Sequence, residues 1–289
     1  GRLLARMGRK TEDCVVFLPL PSVGATENAM LAACGAEGNT VICNAAREPE
    51  IGDLQNFLCA MGAEVHGAGG SVITVSPGKS FHGCTHRVIP DRIVTATYLC
   101  AAAAAGGDIT LRGADSRHLA AVTTALQQAG CRLESTADAI HLTSEGRLQA
   151  LSPIRTAPYP GFPTDMQPQI ASVLALADGT SLITESVWNN RFKYVDELKR
   201  LGARIQVDGK VAVLEGVDHF TGAPVQAPDL RAGAALVIAA LAAHGTTEIS
   251  HVQYIERGYE DIVGKLRAVG GDICMVDEPE AEKEEARIG

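Results

Sequence analysis

Four short stretches of this chain carry polar side chains where a helix would begin: Ser22, Asp91-Arg92, Thr164-Asp165 and Asp229-Leu230-Arg231. Serine, threonine and aspartate accept hydrogen bonds from the free N–H groups of a helix's first turn. The same helix ends present a partial positive charge, so they also bind phosphates and carboxylates. Each stretch therefore reads in two ways, as a cap or as a ligand contact. Two of the aspartates have an arginine one or two residues further on, which strengthens the ligand reading for the set.

The elements that must position these residues repeat. Gly62, Gly130, Gly202 and Gly270 sit in the similar strings Met61-Gly62-Ala63-Glu64-Val65, Ala129-Gly130-Cys131-Arg132-Leu133, Leu201-Gly202-Ala203-Arg204-Ile205 and Val269-Gly270-Gly271-Asp272-Ile273, about 70 residues apart. Three of the copies contain a helix that is apolar nearly all round: Tyr98 to Ala105, Ile170 to Ala177 and Ala234 to Ala243. A helix with no polar face is buried on every side. The second helix of each copy is amphipathic, at Leu119 to Ala129, Val195 to Leu201 and Ile262 to Val269, and belongs nearer the surface. Short strands are predicted at Thr40 to Cys43, Val72 to Val75, Asp108 to Leu111, Ile140 to Thr143, Ser181 to Thr184, Val211 to Leu214 and Thr247 to Ser250. The pattern predicts an α/β fold of four βαβαβ-type units, an inside-out α/β barrel with alanine-rich helices inside and sheets outside.

Composition narrows the partners. A chain of 289 residues with 46% hydrophobic content can bury a substantial core. Its net charge of −9 argues against nucleic acid, and the six acids and two bases of residues 277–289 read as a solvated tail. Eight cysteines without a C-x-x-C pair signal neither a zinc site nor a disulfide framework. Most read as small buried hydrophobes, and the compartment as reducing and cytoplasmic, since no secretory leader is legible. Charges and glycines interrupt every apolar run, so no membrane span is predicted. Gly78-Lys79-Ser80 ends like a phosphate loop, yet Ile73 stands where the first glycine belongs. Gly67-Ala68-Gly69-Gly70 reads as a turn before the strand at Val72. Nothing points to a metal or a cofactor. A first residue of Gly1 suggests a fragment or a processed chain.

Six strings carry a family resemblance: Pro21-Ser22-Val23-Gly24-Ala25-Thr26-Glu27-Asn28, Asn44-Ala45-Ala46-Arg47-Glu48-Pro49-Glu50, Phe162-Pro163-Thr164-Asp165-Met166-Gln167, Asn190-Arg191-Phe192, Asp229-Leu230-Arg231 and Arg257-Gly258-Tyr259. In order and spacing they resemble UDP-N-acetylglucosamine 1-carboxyvinyltransferase, an enolpyruvyl transferase that shares its fold with EPSP synthase. The resemblance runs from about Ser22 to about Asp272. It implies two inside-out α/β domains closing over a cleft, with 1–89 as one unit of the first domain, 90–276 as the second domain and 277–289 as the charged tail. Roughly the first third of the family's chain has no counterpart here.

The resemblance also implies the chemistry. An enolpyruvyl group passes from phosphoenolpyruvate to the 3-hydroxyl of UDP-N-acetylglucosamine, the first committed step of peptidoglycan synthesis. Asp165 is the implied base, with Asp229 orienting arginines or assisting proton transfer. Arg191, Arg231 and Arg257 are the implied phosphoenolpyruvate contacts, because a guanidinium offers a fixed fork to carboxylate or phosphate. Leu20, Pro21, Ser22 and Val23 match the uridine-contacting loop, and Val187 sits where a backbone contact to the sugar nucleotide is implied. Some relatives carry lysine at the position of Leu20, so no charge contact to the diphosphate is implied there. The family's proton donor and its Lys-Asn pair fall in the part without counterpart, so the isolated chain is expected to be inactive. A separate N-terminal segment, or self-association, is the implied partner, and a non-catalytic sugar-nucleotide-binding remnant is the competing reading.

Overall fold

The structure is a computed structural model that describes Leu4, residues 12–76 and residues 80–276. Most of the 1–13 stretch, Gly78-Lys79 and the 277–289 tail lie outside the described residues.

The chain opens with β1 (Cys14–Phe17), α1 (Val23–Cys34), β2 (Thr40–Cys43), α2 (Pro49–Ala60), β3 (Glu64–His66) and β4 (Val72–Ser76). Their strands form a sheet in the order β1-β2-β4-β3, in which β1 and β2 are parallel and the other pairs antiparallel. The glycine-rich turn joins β3 to β4, with Gly67 and Gly69 at φ of 97° and 87°, a region that favours glycine. Apolar residues on alternate positions of β2 and β4 meet Met30, Ile51 and Leu58 of the helices in a small core.

A larger core comes next along the chain. Its elements are α3 (Arg92–Ala105), β5 (Gly107–Arg112), α4 (Ala120–Gln128), β6 (Arg132–Ser135) and β7 (Ala139–Ser144), then β8 (Ile154–Arg155), α5 (Gln167–Leu174), β9 (Thr180–Thr184), α6 (Val195–Arg200), β10 (Arg204–Asp208) and β11 (Val211–Glu215). The last group is β12 (Phe220–Thr221), β13 (Pro224–Gln226), α7 (Leu230–Leu241), β14 (Ala243–His244), β15 (Glu248–Ser250), α8 (Gln253–Glu256) and α9 (Ile262–Ala268). The sheets run β5-β7-β6 and β10-β11-β9-β8, with two short parallel pairs, β12 with β14 and β13 with β15. The three apolar helices α3, α5 and α7 pack on one another, and all eight residues of α5 are buried. Alanine at their contacts lets the backbones approach closely: Ser172 Oγ on α5 reaches the Ala235 carbonyl of α7 at 2.9 Å.

The four glycines that mark the repeat end helices in one way. Gly62, Gly130, Gly202 and Gly270 have φ of 100°, 114°, 95° and 96°. Each donates its N–H to the carbonyl three residues back at 3.0 Å, and the next residue donates to the carbonyl five back. That closes the helix on its own orphan carbonyls and turns the chain away from the helix axis.

The units differ in detail from the predicted pattern. No strand precedes α3 among described residues 80–91, and none succeeds Gly270 in 271–276. Helix α5 stops at Leu174 rather than Ala177, because Leu176 and Ala177 donate to carbonyls three back and tighten the end. Helix α7 stops at Leu241, since Ala243 pairs with Phe220 in β14. The cysteines correct the expectation of burial: Cys100 and Cys131 are buried, but Cys59, Cys84 and Cys274 are exposed and the other three are intermediate. Cys59 sits near the end of α2 and Cys84 and Cys274 lie in loops, where solvent reaches one side. Among the described residues no helix is long and apolar enough to cross a membrane.

Candidate active site

A cavity of about 1420 Å³ lies between the small and the large core, and all ten residues expected to act line it. Their elements explain why. Helices α3 and α7 begin at the cavity, capped by Asp91 and Asp229, and Thr164-Asp165 forms a single 3-10 turn just ahead of α5. The buried helices thus carry charged residues only at the ends that leave the core.

Asp165 is the centre of the polar cluster. Its Oδ1 accepts from Arg191 Nη2 at 2.8 Å, and its Oδ2 accepts from Arg231 Nε at 3.1 Å and Nη2 at 3.0 Å. Arg191 and Arg231 are nearly buried, at 10% and 17% exposure, whereas Asp165 keeps 38%. The open side of the carboxylate is the side facing the cavity. Arg231 also donates to the buried Tyr259 hydroxyl at 3.5 Å, and that hydroxyl lies 3.0 Å from Thr97 Oγ1 on α3. Burial works to lower the Arg231 pKa, and the neighbouring Asp165 carboxylate with Tyr259 outweighs it, so the guanidinium is held above its ordinary value. Arg257 comes directly after α8 at the cavity and has no carboxylate partner among the described residues. Two of the three arginines are therefore held by Asp165, and one is open to an incoming anion.

Of the four expected caps, three hold and Thr164 does not. Asp229 Oδ1 accepts from Arg231 N and Ala232 N at 2.9 Å each, so this carboxylate fixes the backbone that bears Arg231 and does not orient a guanidinium. Thr164 does not cap α5. Its hydroxyl donates to Glu185 Oε2 at 3.0 Å and accepts from Arg191 Nε at 3.2 Å, because Pro163 starts a 3-10 turn that carries the side chain away from the helix N–H groups. Ser22 and Asp91 do cap, Ser22 accepting from Ala25 N at 3.4 Å and Asp91 from Ile93 N and Val94 N at 2.8 and 3.0 Å. Leu20, Pro21 and Val23 flank Ser22 on the small-core wall, with Leu20 strongly exposed. Val187 lies on the facing wall, but its N–H is engaged by Glu185 Oε1 at 2.9 Å, which leaves its carbonyl for a ligand.

The structure brings in residues beyond the ten expected to act. Arg92 donates to Glu50 of α2 through Nε at 3.2 Å and Nη2 at 3.0 Å. Glu48 Oε1 accepts from Tyr159 N at 3.4 Å, and His86 Nε2 pairs with Asp53 Oδ1 at 2.9 Å. The Arg92 and Tyr159 contacts join the small core to the large one beside the cavity, whereas the His86 pair lies within the first unit. Trp188 stands on the wall with the Arg191 guanidinium 5.5 Å from its ring centroid. The available signal was the Glu48-Pro49-Glu50 string, where two carboxylates flank a helix start.

The mixed α/β fold is shared with known enzymes. The sequence profile for EPSP synthase (3-phosphoshikimate 1-carboxyvinyltransferase) matches residues 4–266, and the chain belongs to that family, with its mixed α/β fold. Within it, the chain is 53% identical over 261 residues to UDP-N-acetylglucosamine 1-carboxyvinyltransferase 2 of Caldanaerobacter subterraneus subsp. tengcongensis, covering 90% of this chain and 63% of the relative. It is 48% identical over 277 residues to UDP-N-acetylglucosamine 1-carboxyvinyltransferase 1 of Carboxydothermus hydrogenoformans, covering 96% and 66%. The chain thus spans less than two thirds of these relatives' length. Among solved structures, the enolpyruvyl transferase NikO from Streptomyces tendae superposes with a TM-score of 0.86 at 28% identity, covering 96% of this chain and 70% of that one.

Proposed function

We propose that this chain supplies the base and the anion-binding wall of an enolpyruvyl transferase acting on phosphoenolpyruvate and UDP-N-acetylglucosamine in peptidoglycan synthesis. The observation that carries the reading is the placement of Asp165 between Arg191 and Arg231, with its open side toward a cavity that Leu20 to Val23 also line. In this reading the Asp165 carboxylate accepts the proton of the sugar 3-hydroxyl. Arg231, Arg191 and the unpaired Arg257 hold the phosphate and carboxylate of phosphoenolpyruvate and offset charge as the phosphate leaves. Asp229 acts through the backbone: by capping α7 it sets where Arg231 starts its reach. The uridine end of the acceptor sugar nucleotide lies along Leu20, Pro21, Ser22 and Val23, and the Val187 carbonyl contacts the sugar nucleotide.

The domain reading rests on the two cores. Residues 1–89 make up part of one domain and 90–276 a second, in which α3, α5 and α7 form the inner layer of an inside-out barrel. A further N-terminal segment, in this chain's protein or from another, completes the first domain.

The test is phosphate release from phosphoenolpyruvate, with the chain alone and with the N-terminal third of a relative added. Binding of UDP-N-acetylglucosamine is measured in parallel by calorimetry. The reading expects binding by the chain, and release that requires the sugar nucleotide and is not supported by shikimate 3-phosphate. A folded chain that binds no UDP-N-acetylglucosamine, alone or in the mixture, overturns it. Binding without release in either mixture identifies a non-catalytic binding module.

A further inference from the structure

The structure assigns to Glu185 the role of a positioning residue: we propose that its buried carboxylate fastens the wall segment 186–190 to the Thr164-Asp165 turn and so sets Arg191 against Asp165. Glu185 is 1% exposed. Its Oε1 accepts from Thr156 Oγ1 at 2.8 Å, Val187 N at 2.9 Å and Trp188 N at 2.8 Å, and its Oε2 accepts from Thr164 Oγ1 at 3.0 Å. No cation pairs with it among the described residues. A buried carboxylate is costly unless its acceptor sites are filled, and here four donors from three separate stretches of chain fill them.

What those donors carry defines the role. Val187 and Trp188 stand on the cavity wall, and Ser186 N is held in turn by Thr156 Oγ1 at 2.8 Å. The segment ends at Asn190, whose φ of 68° turns the chain so that Arg191 faces back to the cleft. Thr164 relays the anchor onward, since the hydroxyl that donates to Glu185 accepts from Arg191 Nε at 3.2 Å, while Arg191 Nη2 reaches Asp165 at 2.8 Å. One buried carboxylate therefore fixes both neighbours of the Asp165 to Arg191 pair. A core glutamate with a merely local task would not collect donors from the wall, the 3-10 turn and the strand exit together.

Trp188 is the chain's one tryptophan, so its emission reports on this segment alone. In Glu185→Ala the expected result is a red shift of that emission and acrylamide quenching that rises toward the value of the denatured chain. Glu185→Gln keeps an oxygen for Thr156, Val187 and Trp188 and is expected to retain the unaltered emission. It sets an amide against Thr164 in place of an acceptor, so inorganic phosphate and UDP-N-acetylglucosamine are expected to bind roughly tenfold more weakly, the scale of one charge-assisted hydrogen bond. A Glu185→Ala chain that melts cooperatively with Trp188 unmoved overturns the proposal, as does a Gln variant as exposed as the Ala variant. If Glu185→Ala does not fold, Thr164→Val decides: weaker phosphate binding with unmoved Trp188 is expected, and unchanged phosphate binding refutes the relay. The ligand measurements rest on the transferase reading. Failure of the unaltered chain to bind UDP-N-acetylglucosamine counts against that reading, and Trp188 then decides the role of Glu185.

Discussion

Replacing Asp165 by asparagine separates two jobs that the present geometry gives to one carboxylate. Asparagine keeps the shape and one acceptor oxygen but removes the charge that now occupies Arg191 and Arg231 at 2.8 and 3.0 Å. An anion held by the same guanidiniums would sit roughly 5 Å from the Asp165 carboxylate, a repulsion of about 0.8 kcal/mol in water and about 3 kcal/mol at an effective dielectric constant of 20. Because Asp165 is 38% exposed, solvent screening favours the lower part of that range, about 1 to 1.5 kcal/mol. Asp165→Asn should therefore bind inorganic phosphate or phosphoenolpyruvate about five- to tenfold more tightly. Turnover, in whatever assembly is active, should fall roughly 10²–10⁴-fold for loss of the base. Calorimetric titration at low and high ionic strength is the assay, and the gain should shrink with salt. Phosphate affinity that is unchanged or weaker in the asparagine variant would mean that the anion is not held by these two arginines.

Two other expectations concern the scaffold. Gly202→Ala places an L side chain at φ of 95° with no atom within 4 Å of the new Cβ, so its cost is backbone strain alone, about 1–2 kcal/mol. The control Gly52→Ala, equally open but inside α2 without positive φ, should stabilise by about 0.5–1 kcal/mol, and melting temperatures moving in the same direction would contradict the helix-end account. Near the start of α4, the Arg117 hydrogen bond holds the Asp115 carboxyl at about 2. That contribution is present above the ordinary aspartate range and is lost as pH falls through about 2. Arg117→Ala should let Asp115 titrate nearer its ordinary range by NMR, and the melting difference between variant and unaltered chain should vanish near the lower value.

How much of this could be read from the residues depended on distance along the chain. The helix ends at Gly62, Gly130, Gly202 and Gly270 are local, since each needs only a glycine and the carbonyls of the preceding turn. The apolar helices were legible because alanine and leucine on every side leave burial as the one solution. The part of the cavity lining at Ser22, Asp91, Asp165 and Asp229 was legible as helix starts, and the spacing of the six motif strings kept those starts in order. What Thr164 does was not. It is a good capping type, but whether its hydroxyl caps or bridges depends on Glu185, 21 residues away and buried. The contact of Glu48 with Tyr159 spans 111 residues, and no local pattern encodes it. The exposed cysteines were misjudged because residue type alone says nothing about which helix end meets solvent.

The polar joint between the two cores includes an ion pair, Arg92 with Glu50, and a hydrogen bond, Tyr159 with Glu48. Water competes for every one of those contacts, whereas it does not compete for the packing inside either core. Mechanically, two apolar cores meet across a polar joint, and the cavity lies beside that joint. Any molecule that touches both the Leu20 to Val23 wall and the arginines becomes a strut across it, so part of its binding free energy goes into stiffening the joint.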